Sequence, residues 1–493
     1  MYRFLISSLL LFSLWVPVNA IAGSLSERVQ EHRLENGLTV LLVERHTSPT
    51  VAAYISFRVG SVDESSQQRG IAHMLEHMLF KGTKTLGTRD YEAEKPLLKK
   101  IEEIGEKITR LNIHPDGDRQ QINRLQETLY ELQQQHREFV VKDEFARIYA
   151  EQGGVGFNAF TSKDQTTYLI NLPANKLELW AAIESDRLQH AVFREFFTER
   201  DVVQEERRRA VDINPGGKLY ENLLVTAYQV HPYRHPILGW DSDIQGFSLP
   251  LIRDFFHRYY NAANMIITLV GAFDSADTLA LIESYFGGLP TVAEIPPVSD
   301  REPQQQGERR IHINYDAEPR MMVAYHKPTL PHSDDYTFDL LARALAHGRT
   351  SRLYQSLVVN QQVVSDIGVF RAPGSRYDNL FIISLLPRRD VSLAAVEKAL
   401  DEEIQRLITE PLTAADIEKA RHQIMTSMLR GMRTNSGLAR MLSSYQILGD
   451  WKYLIEYEDR LKSVDSQALI AVAERYLQRS NRTIATLSRG DVQ

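Results

Sequence analysis

Residues 73–77 read His-Met-Leu-Glu-His, and an apolar run, Met78-Leu79-Phe80, follows them directly. On a helix, His73 and His77 would project from one face, close enough to share one metal ion. Glu76 would lie on the adjoining surface, within reach of a water molecule on that ion. Two imidazoles and one carboxylate suit zinc, with a fourth position left for water. The order of the residues is the reverse of the commoner His-Glu-x-x-His arrangement.

The chemistry expected from this segment is hydrolysis by activated water. Zinc lowers the pKa of its water toward neutrality, and Glu76 could take the proton and deliver it to a leaving amine. The alternative is a surface helix that carries an ordinary Glu and two solvated histidines. The metal site is favoured because apolar neighbours give the helix a buried side, namely Met74, Leu75, Met78, Leu79 and Phe80.

A third protein ligand is still needed, and a carboxylate on another helix would supply it. The candidate stretch, residues 198–208, reads Thr-Glu-Arg-Asp-Val-Val-Gln-Glu-Glu-Arg-Arg. Its acids are Glu199, Asp201, Glu205 and Glu206, and spacing alone does not choose among them. Glu199 and Glu206 share one helical face, so one could bind the metal while the other orients a histidine. A solvated, charged helix is the competing interpretation.

The composition is that of a globular protein. At roughly 150 residues per domain, 493 residues suggest two to four domains. Hydrophobic residues make up 43% and charged residues 25%, which excludes collagen-like, disordered and polytopic membrane proteins. The net charge of −7 gives no reason to expect nucleic acid as a partner. Cysteine is absent, which excludes disulfide scaffolds, thiolate zinc sites, iron–sulfur clusters and cysteine nucleophiles.

Residues 1–22 have the pattern of an export signal. Arg3 provides a short positive end, and residues 4–18 are almost continuously apolar. Small residues follow, so cleavage is expected near Ala20 or Ala22. An uncleaved anchor is the weaker alternative, because the run is shorter than the ~20 residues that span a membrane. We therefore expect a periplasmic protein with no integral membrane span after signal removal.

The remaining sequence divides into two related halves. The clearest strand-like runs are residues 38–43, 51–57, 169–172 and 265–270, and a helix is expected to begin near Ile71. Residues 288–308, rich in Pro and Gln, predict a linker between an N-terminal domain, 23–287, and a C-terminal domain, 309–493. A faint repeat supports two halves: Arg-Tyr, then Asn, then a β-like run, at 258–270 and again at 475–487.

Residues 92–150 predict a helical hairpin inserted in the first half. Pro115-Asp116-Gly117-Asp118 separates two runs with helical spacing, so two antiparallel helices with charged outer faces are expected. The apolar stripe is interpreted as hairpin core, and the hairpin could also serve a partner or guard a substrate entrance. The residues of the stripe are Leu97, Ile101, Ile104, Ile108, Leu111, Ile122, Leu125, Leu129 and Leu132.

Around the His-x-x-Glu-His segment the sequence resembles the pitrilysin-type zinc peptidases (inverzincins, family M16), which include insulin-degrading enzyme and the mitochondrial processing peptidase. It looks most like the half-length bacterial members, from about Glu27 to Arg489. The matching stretches are 69–72, 80–83, 156–162 with Asp164, Thr167 and Tyr168, then 199–206, 231–233 and 351–354.

Carried over position by position, the resemblance implies one zinc ion per chain on His73, His77 and Glu206, with Glu76 as general base. Glu206 is implied because the family places its ligand six residues after the Arg that matches Arg200. Without the resemblance, the choice among the four acids stays open.

The resemblance also implies the surroundings of the metal. Glu199 would orient a zinc histidine, and Asn158 and Ala159 would lie on an edge strand that pairs with the backbone of peptide substrates. The implied fold class is α+β, with two similar domains per chain, each an antiparallel-rich sheet packed with helices. The helical hairpin would be an insertion in the first domain. Two such chains would enclose a chamber.

One departure concerns the groups that would bind the scissile carbonyl. The family usually supplies an Arg and a Tyr, seven residues apart, from the domain that faces the zinc. The matching positions here are Val358 and Ser365, and nearby Arg371, Arg376 and Tyr377 do not fit that spacing. Either the register differs, or a partner chain without the zinc residues supplies the pair, which is the favoured interpretation. We therefore expect a dimer, either a homodimer or a heterodimer with such a related chain.

The function expected from these features is that of an exported zinc endopeptidase acting on short or unfolded peptides. A non-catalytic scaffold or binding subunit is the main alternative, although such chains typically lose the zinc residues. A zinc hydrolase of another amide bond is a third possibility.

Overall fold

A computed structural model describes residues 25–113, 118–292, 295 and 297–490. The export signal expected at 1–22 and most of the break expected between the hairpin helices lie outside these ranges. Within the described ranges, none of the helices combines the length and the apolar character needed to cross a membrane.

The described chain alternates between strands and helices. The strands are β1 (Gln30–Arg33), β2 (Thr39–Glu44), β3 (Thr50–Phe57), β4 (Val155–Thr161), β5 (Thr166–Pro173), β6 (Met265–Gly271), β7 (Arg309–Asn314), β8 (Arg320–Lys327), β9 (Val364–Ala372), β10 (Asn379–Pro387) and β11 (Arg482–Ser488). The helices are α1 (Leu25–Arg28), α2 (Ile71–Met78), α3 (Tyr91–Ile113), α4 (Arg119–His136), α5 (Glu144–Glu151), α6 (Leu177–His190), α7 (Phe196–Arg207), α8 (Pro215–Ala227), α9 (Asp241–Gln245), α10 (Leu249–Tyr259), α11 (Ser275–Phe286), α12 (Ser333–Ala346), α13 (Leu393–Thr409), α14 (Ala414–Met432), α15 (Asn435–Leu448), α16 (Tyr453–Lys462) and α17 (Ser466–Tyr476).

The described residues form two sheets with the same topology. The first sheet has the order β1-β2-β6-β3-β5-β4, and the second has the order β7-β11-β8-β10-β9. In each sheet one pair is parallel, β2 with β6 and β7 with β11, and the other pairs are antiparallel. The expected α+β fold with two similar, antiparallel-rich domains is thereby confirmed. The β1 strand is the extra edge of the first sheet.

The faint repeat in the sequence marks the same turn in both domains. In the first domain, α10 leads to β6, and the Asn264 side-chain amide donates to the carbonyl of Tyr259, at 2.9 Å. In the second, α17 leads to β11, and the Asn481 amide donates to the carbonyl of Tyr476, at 2.8 Å. The repeated asparagine therefore closes the turn between a helix and the strand that follows it, β6 in the first sheet and β11 in the second.

Each sheet is covered by helices from both halves of the sequence. Helix α15, from the second half, packs on β3 and β6 of the first sheet through Leu438, Ala439 and Leu442. Helix α8, from the first half, packs on the second sheet through Leu219 and Leu223. Every residue of β6 is buried, because helices cover both faces of the first sheet. The domain boundaries expected at 287 and 309 stay a prediction, since the two halves interlock.

Helices α3 and α4 pack as an antiparallel pair beside the first sheet. The start of α3 meets the end of α4, where Glu94 accepts a hydrogen bond from His136 Nε2 at 2.6 Å. The pair spans 91–136 rather than the expected 92–150, because α5 is a separate helix that packs near β4. Ile101 and Ile108 of the predicted stripe are buried, and the outer face of α4 is largely exposed.

Candidate metal centre

Helix α2 carries the two histidines, and its N-terminus is fixed by buried contacts. The carboxylate of Glu64 accepts hydrogen bonds from the backbone N–H groups of Gly70, at 2.8 Å, and Ala72, at 2.9 Å. Gly70 has φ +95°, and a Cβ there would lie 2.6 Å from the Leu238 carbonyl oxygen. The helix is buried along almost its whole length, so its position depends on packing rather than on solvent.

Three side chains converge at one point between α2 and α7. His73 Nε2 lies 3.7 Å from Glu206 Oε2, and His77 Nε2 lies 3.6 Å from the same oxygen. One ligand atom from each of these residues can be chosen so that all three lie within 4.8 Å of one another. The structure thus brings together the three residues implied as ligands and leaves the neighbouring acid Glu205 paired with Arg208 and Arg209 in solvent.

These residues fit a zinc ion. Tetrahedral ligands at the zinc–nitrogen and zinc–oxygen bond lengths lie about 3.3 Å apart, close to the separations seen here. Among the described residues, the buried His73 Nδ1 has no hydrogen-bond partner, and burial lowers the pKa of His73 to about 3. The ring is therefore neutral at physiological pH, which is the form that binds metal. Two neutral imidazoles and a carboxylate are the donor set of a catalytic zinc site with one open position.

His77 is oriented by Glu199 from the far side of the ring. His77 Nδ1 lies 2.8 Å from Glu199 Oε1, and Lys81 Nζ lies 2.5 Å from Glu199 Oε2. Burial raises the pKa of Glu199, but the hydrogen bonds from His77 and Lys81 outweigh it and hold the pKa at about 2. Because an ionised carboxylate only accepts hydrogen bonds, the neutral form of His77 carries its proton on Nδ1 and leaves Nε2 free.

Glu76, the residue before His77, is hydrogen-bonded to a threonine hydroxyl. Thr161 Oγ1, at the end of β4, donates to Glu76 Oε2 at 2.6 Å. Burial raises the pKa of Glu76, while the Thr161 hydrogen bond and the charge of His77 lower it. The carboxylate is therefore held from the strand side by Thr161, and it has a higher proton affinity than an exposed Glu.

The β4 strand, which carries Asn158 and Ala159, is the edge of the first sheet. It pairs with β5 on one side, and within the described residues no strand pairs with its other side. Asn158 is exposed and Ala159 is buried, as expected for alternate residues of a strand. The free backbone groups of this edge can pair with an added extended chain.

The second domain presents neither an Arg nor a Tyr at the expected positions. Val358 is buried among the apolar residues of that domain's own core. Ser365 is exposed at the start of β9, and its hydroxyl donates to the Leu386 carbonyl at 3.1 Å. Arg371 binds Asp339 within the second domain, at 2.7 Å. Arg376 reaches across to the first domain and binds Asp63, at 2.9 Å.

Known protein families match most of the chain. The family described as insulinase (peptidase family M16) matches residues 39–109 and 120–241, and the description peptidase M16 inactive domain matches residues 246–424. The chain belongs to peptidase family M16. The match to the first half contains α2 and α7, and it is interrupted between 109 and 120, where α3 gives way to α4.

The similarity of this M16 chain to its relatives covers nearly its whole length. It is 26% identical over 489 residues to a protein named zinc protease PqqE from Helicobacter pylori, covering 98% of this chain and 97% of the relative. A crystal structure described as a protease from Helicobacter pylori superposes with a TM-score of 0.78 at 25% identity, covering 93% and 99% of the two chains. The structure described as the periplasmic protease PqqL from Escherichia coli has a TM-score of 0.69 at 18% identity. It shares the fold over 94% of this chain and 48% of its own.

The sequence by itself does not predict two side chains that contact the M16 candidate site. Lys81 and Thr161 both lie in stretches that resemble the family, but nothing in their spacing links them to Glu199 or Glu76. Thr161 is 85 residues from Glu76, and His77 is 122 residues from Glu199. Only the path of the chain brings them into contact.

Proposed function

We propose that this chain is an exported zinc metalloendopeptidase that hydrolyses short or unfolded peptides. The observation that carries the proposal is the convergence of His73, His77 and Glu206, whose ligand atoms can lie within 4.8 Å of one another. A buried carboxylate, Glu76, lies beside them. Membership of family M16 and relatives named zinc proteases support the same conclusion.

In this proposal His73, His77 and Glu206 hold one zinc ion. Zinc at this place would lower the pKa of a water molecule toward neutrality and polarise the scissile carbonyl. Glu76 takes the proton of the attacking water and delivers it to the leaving amine. Thr161 Oγ1 donates to Oε2 of Glu76, which helps to orient the carboxylate for that transfer.

The edge of β4 supports a preference for extended substrates. A peptide can add to the edge only if its own backbone N–H and C=O groups are free. Most of these groups are already paired inside folded proteins. Short or unfolded peptides are therefore the proposed substrate class, with Asn158 and Ala159 beside the bound backbone.

The proposal places the mature protein in the periplasm. The support is the signal pattern of residues 1–22, together with a structural relative described as periplasmic. Since Val358 and Ser365 replace the usual Arg and Tyr, we further propose a dimer that encloses a chamber, in which a partner chain stabilises the scissile carbonyl.

The decisive test is cleavage of a quenched-fluorescent peptide library by purified, zinc-loaded mature chain, with Glu76→Gln as the matched control. Gln has the shape of Glu but cannot accept the proton, so turnover should fall by about 10²–10⁴-fold. Zinc content should stay equal in both proteins, which metal analysis would verify. Turnover retained in Glu76→Gln would contradict the assignment of the base.

A non-catalytic subunit is the second candidate function. It is favoured by the absence of Arg and Tyr at 358 and 365 and by the family description of residues 246–424 as an inactive domain. A chain that holds zinc fully, cleaves nothing alone and stays silent when mixed with related chains would support this candidate. Cleavage by the isolated chain would exclude it.

A further inference from the structure

Lys81 lies in the turn that ends the zinc helix. Its backbone N–H donates to the Met78 carbonyl at 3.1 Å, which continues α2 by one turn. Its own carbonyl accepts from Arg194 Nη1 at 3.3 Å. Arg194 is fully buried and pairs with Glu94, with Nε at 2.7 Å from Oε1. The backbone of Lys81 is therefore held by a buried ion pair.

The side chain of Lys81 is directed at Glu199. Lys81 Nζ lies 2.5 Å from Glu199 Oε2, whereas the neighbouring Glu195 Oε2 lies 3.7 Å away. The two side chains are largely buried, with 23% of Lys81 and 12% of Glu199 exposed. The other oxygen of Glu199 is 2.8 Å from His77 Nδ1. Both oxygens of one carboxylate are thus occupied, one by the lysine and one by the histidine.

This arrangement fixes the orientation of His77. A carboxylate with a single contact can turn about its side-chain bonds, whereas contacts at both oxygens hold its plane. With the plane held, the Nδ1–H of His77 has one direction, and Nε2 faces Glu206 at 3.6 Å. Lys81 also balances charge, because its one positive charge and a divalent ion together offset the three carboxylates Glu76, Glu199 and Glu206 when all are ionised.

We infer that Lys81 is a positioning residue, which acts through Glu199 on His77 to support zinc binding. The inference rests on the proposed zinc site and deepens it. Lys81 touches neither the ligand atoms nor a substrate in this arrangement, so its effect should be seen in metal affinity before any turnover is measured.

The test compares zinc affinity in Lys81→Met, Lys81→Arg and Lys84→Met, measured by competition with a chelator in the absence of peptide. Lys84 is an exposed lysine of the same loop, so its substitution removes the same charge at a matched place. Loss of a group that orients a metal ligand typically costs 10–100-fold in affinity, and we expect about tenfold for Lys81→Met. Lys81→Arg should recover part of the loss, and Lys84→Met should bind zinc as the wild type does.

A second readout separates positioning from general stability. The absorption spectrum of the cobalt-loaded chain reports ligand geometry, and it should change in Lys81→Met but not in Lys84→Met. Should Lys81→Met fail to fold, Lys81→Gln replaces the ammonium group with a shorter, uncharged amide and should also lower zinc affinity. Wild-type affinity and spectrum in the folded variant would overturn the inference.

The outcomes distinguish this inference from the proposed function. A wild-type chain that takes up no zinc would overturn both. A chain that binds zinc but cleaves no peptide would overturn the peptidase, while the affinities of the Lys81 variants would still decide the role of Lys81.

Discussion

His77 shows how one imidazole serves two partners in this protein. Its Nδ1 donates to Glu199, which Lys81 holds from the other side, and its Nε2 lies 3.6 Å from Glu206. The other neutral tautomer of His77 would lose both the hydrogen bond from Nδ1 to Glu199 and the free lone pair on Nε2. Whether His77 can offer Nε2 to a metal therefore depends on which ring nitrogen carries the proton. Glu199, which is not one of the implied ligands, favours the proton on Nδ1.

Glu206 and Glu205 provide a matched comparison of two adjacent acids. Glu206 Oε2 lies near both histidines, while both oxygens of Glu205 are held in solvent by Arg208 and Arg209. We expect Glu206→Gln to lower zinc occupancy strongly after dialysis and Glu205→Gln to leave it unchanged. Metal analysis of the two purified variants checks this, and equal occupancy would show that the third ligand is misassigned.

Thr161 provides a test of how Glu76, the proposed general base, is oriented. Its hydroxyl is 2.6 Å from Glu76 Oε2, and Val has nearly the same shape without the donor. We expect Thr161→Val to lower kcat/KM on a model peptide by about tenfold, corresponding to the ~1.5 kcal/mol of one hydrogen bond to a charged group. Thr161→Ser should retain most of the activity. An unchanged kcat/KM in Thr161→Val would exclude a role for the hydroxyl.

At the level of elements, the centre depends on how α7 is placed against α3. Gly105 of α3 lies against the ring of Phe197, at the start of α7, and a Cβ there would come within 2.0 Å of the ring. Phe197 is buried and lies two residues before Glu199. The close approach of the two helices thus fixes the start of the helix that carries both Glu199 and Glu206.

Gly105→Ala should therefore destabilise the protein, although Ala is the better helix former. The overlap with Phe197 should cost more than the ~1 kcal/mol gained from helix propensity. We expect the net free energy of unfolding to fall by about 1–3 kcal/mol. Gly431→Ala in α14 is the control, since its nearest neighbour is the flexible Met441 side chain at 3.3 Å. Chemical denaturation of both variants checks the prediction, and a stabilised Gly105→Ala would contradict it.

For the whole molecule, the two domains are interlocked rather than joined by a linker alone. Each half contributes a helix to the other sheet, α15 to the first and α8 to the second. A loop of the second domain also binds the first: Asp164 accepts from the backbone N–H of Ser375 at 2.6 Å, and Arg376 binds Asp63. Asp63 directly precedes Glu64, which accepts hydrogen bonds from the backbone at the N-terminus of α2. The second domain therefore contacts the segment that positions the candidate centre.

Breaking the Arg376–Asp63 pair should weaken the whole molecule. Asp63 is buried and Arg376 largely so, and burial raises the pKa of Asp63 although Arg376 opposes this. Removing one partner of a buried pair leaves the other uncompensated, so Arg376→Met should lower the free energy of unfolding by about 3 kcal/mol. Arg389→Met, at an exposed arginine of the same domain, is the control. Equal stability of the two variants in denaturant would contradict a structural role for the pair.

Much of the local structure was predictable from the sequence. The strands expected at 38–43, 51–57 and 265–270 correspond to β2, β3 and β6 within one or two residues, because apolar runs and turn residues act over short distances. The helix at Ile71 begins at that residue. The hairpin expected at 92–150 corresponds to α3 and α4, which end at His136. Nothing in the spacing of the sequence marks α5 as a separate helix.

What the sequence by itself determined was the pair of histidines, the adjacent glutamate and the two-fold repeat of the fold, since each is visible in short patterns of neighbouring residues. The third carboxylate was chosen only by family resemblance, because four acids within eight residues are equivalent by spacing. The tertiary structure alone decided that Glu206 faces the histidines, that Lys81 holds Glu199 and that Thr161 holds Glu76. These contacts join residues far apart in the chain, and their geometry follows from the packing of α2, α7 and β4 in one core.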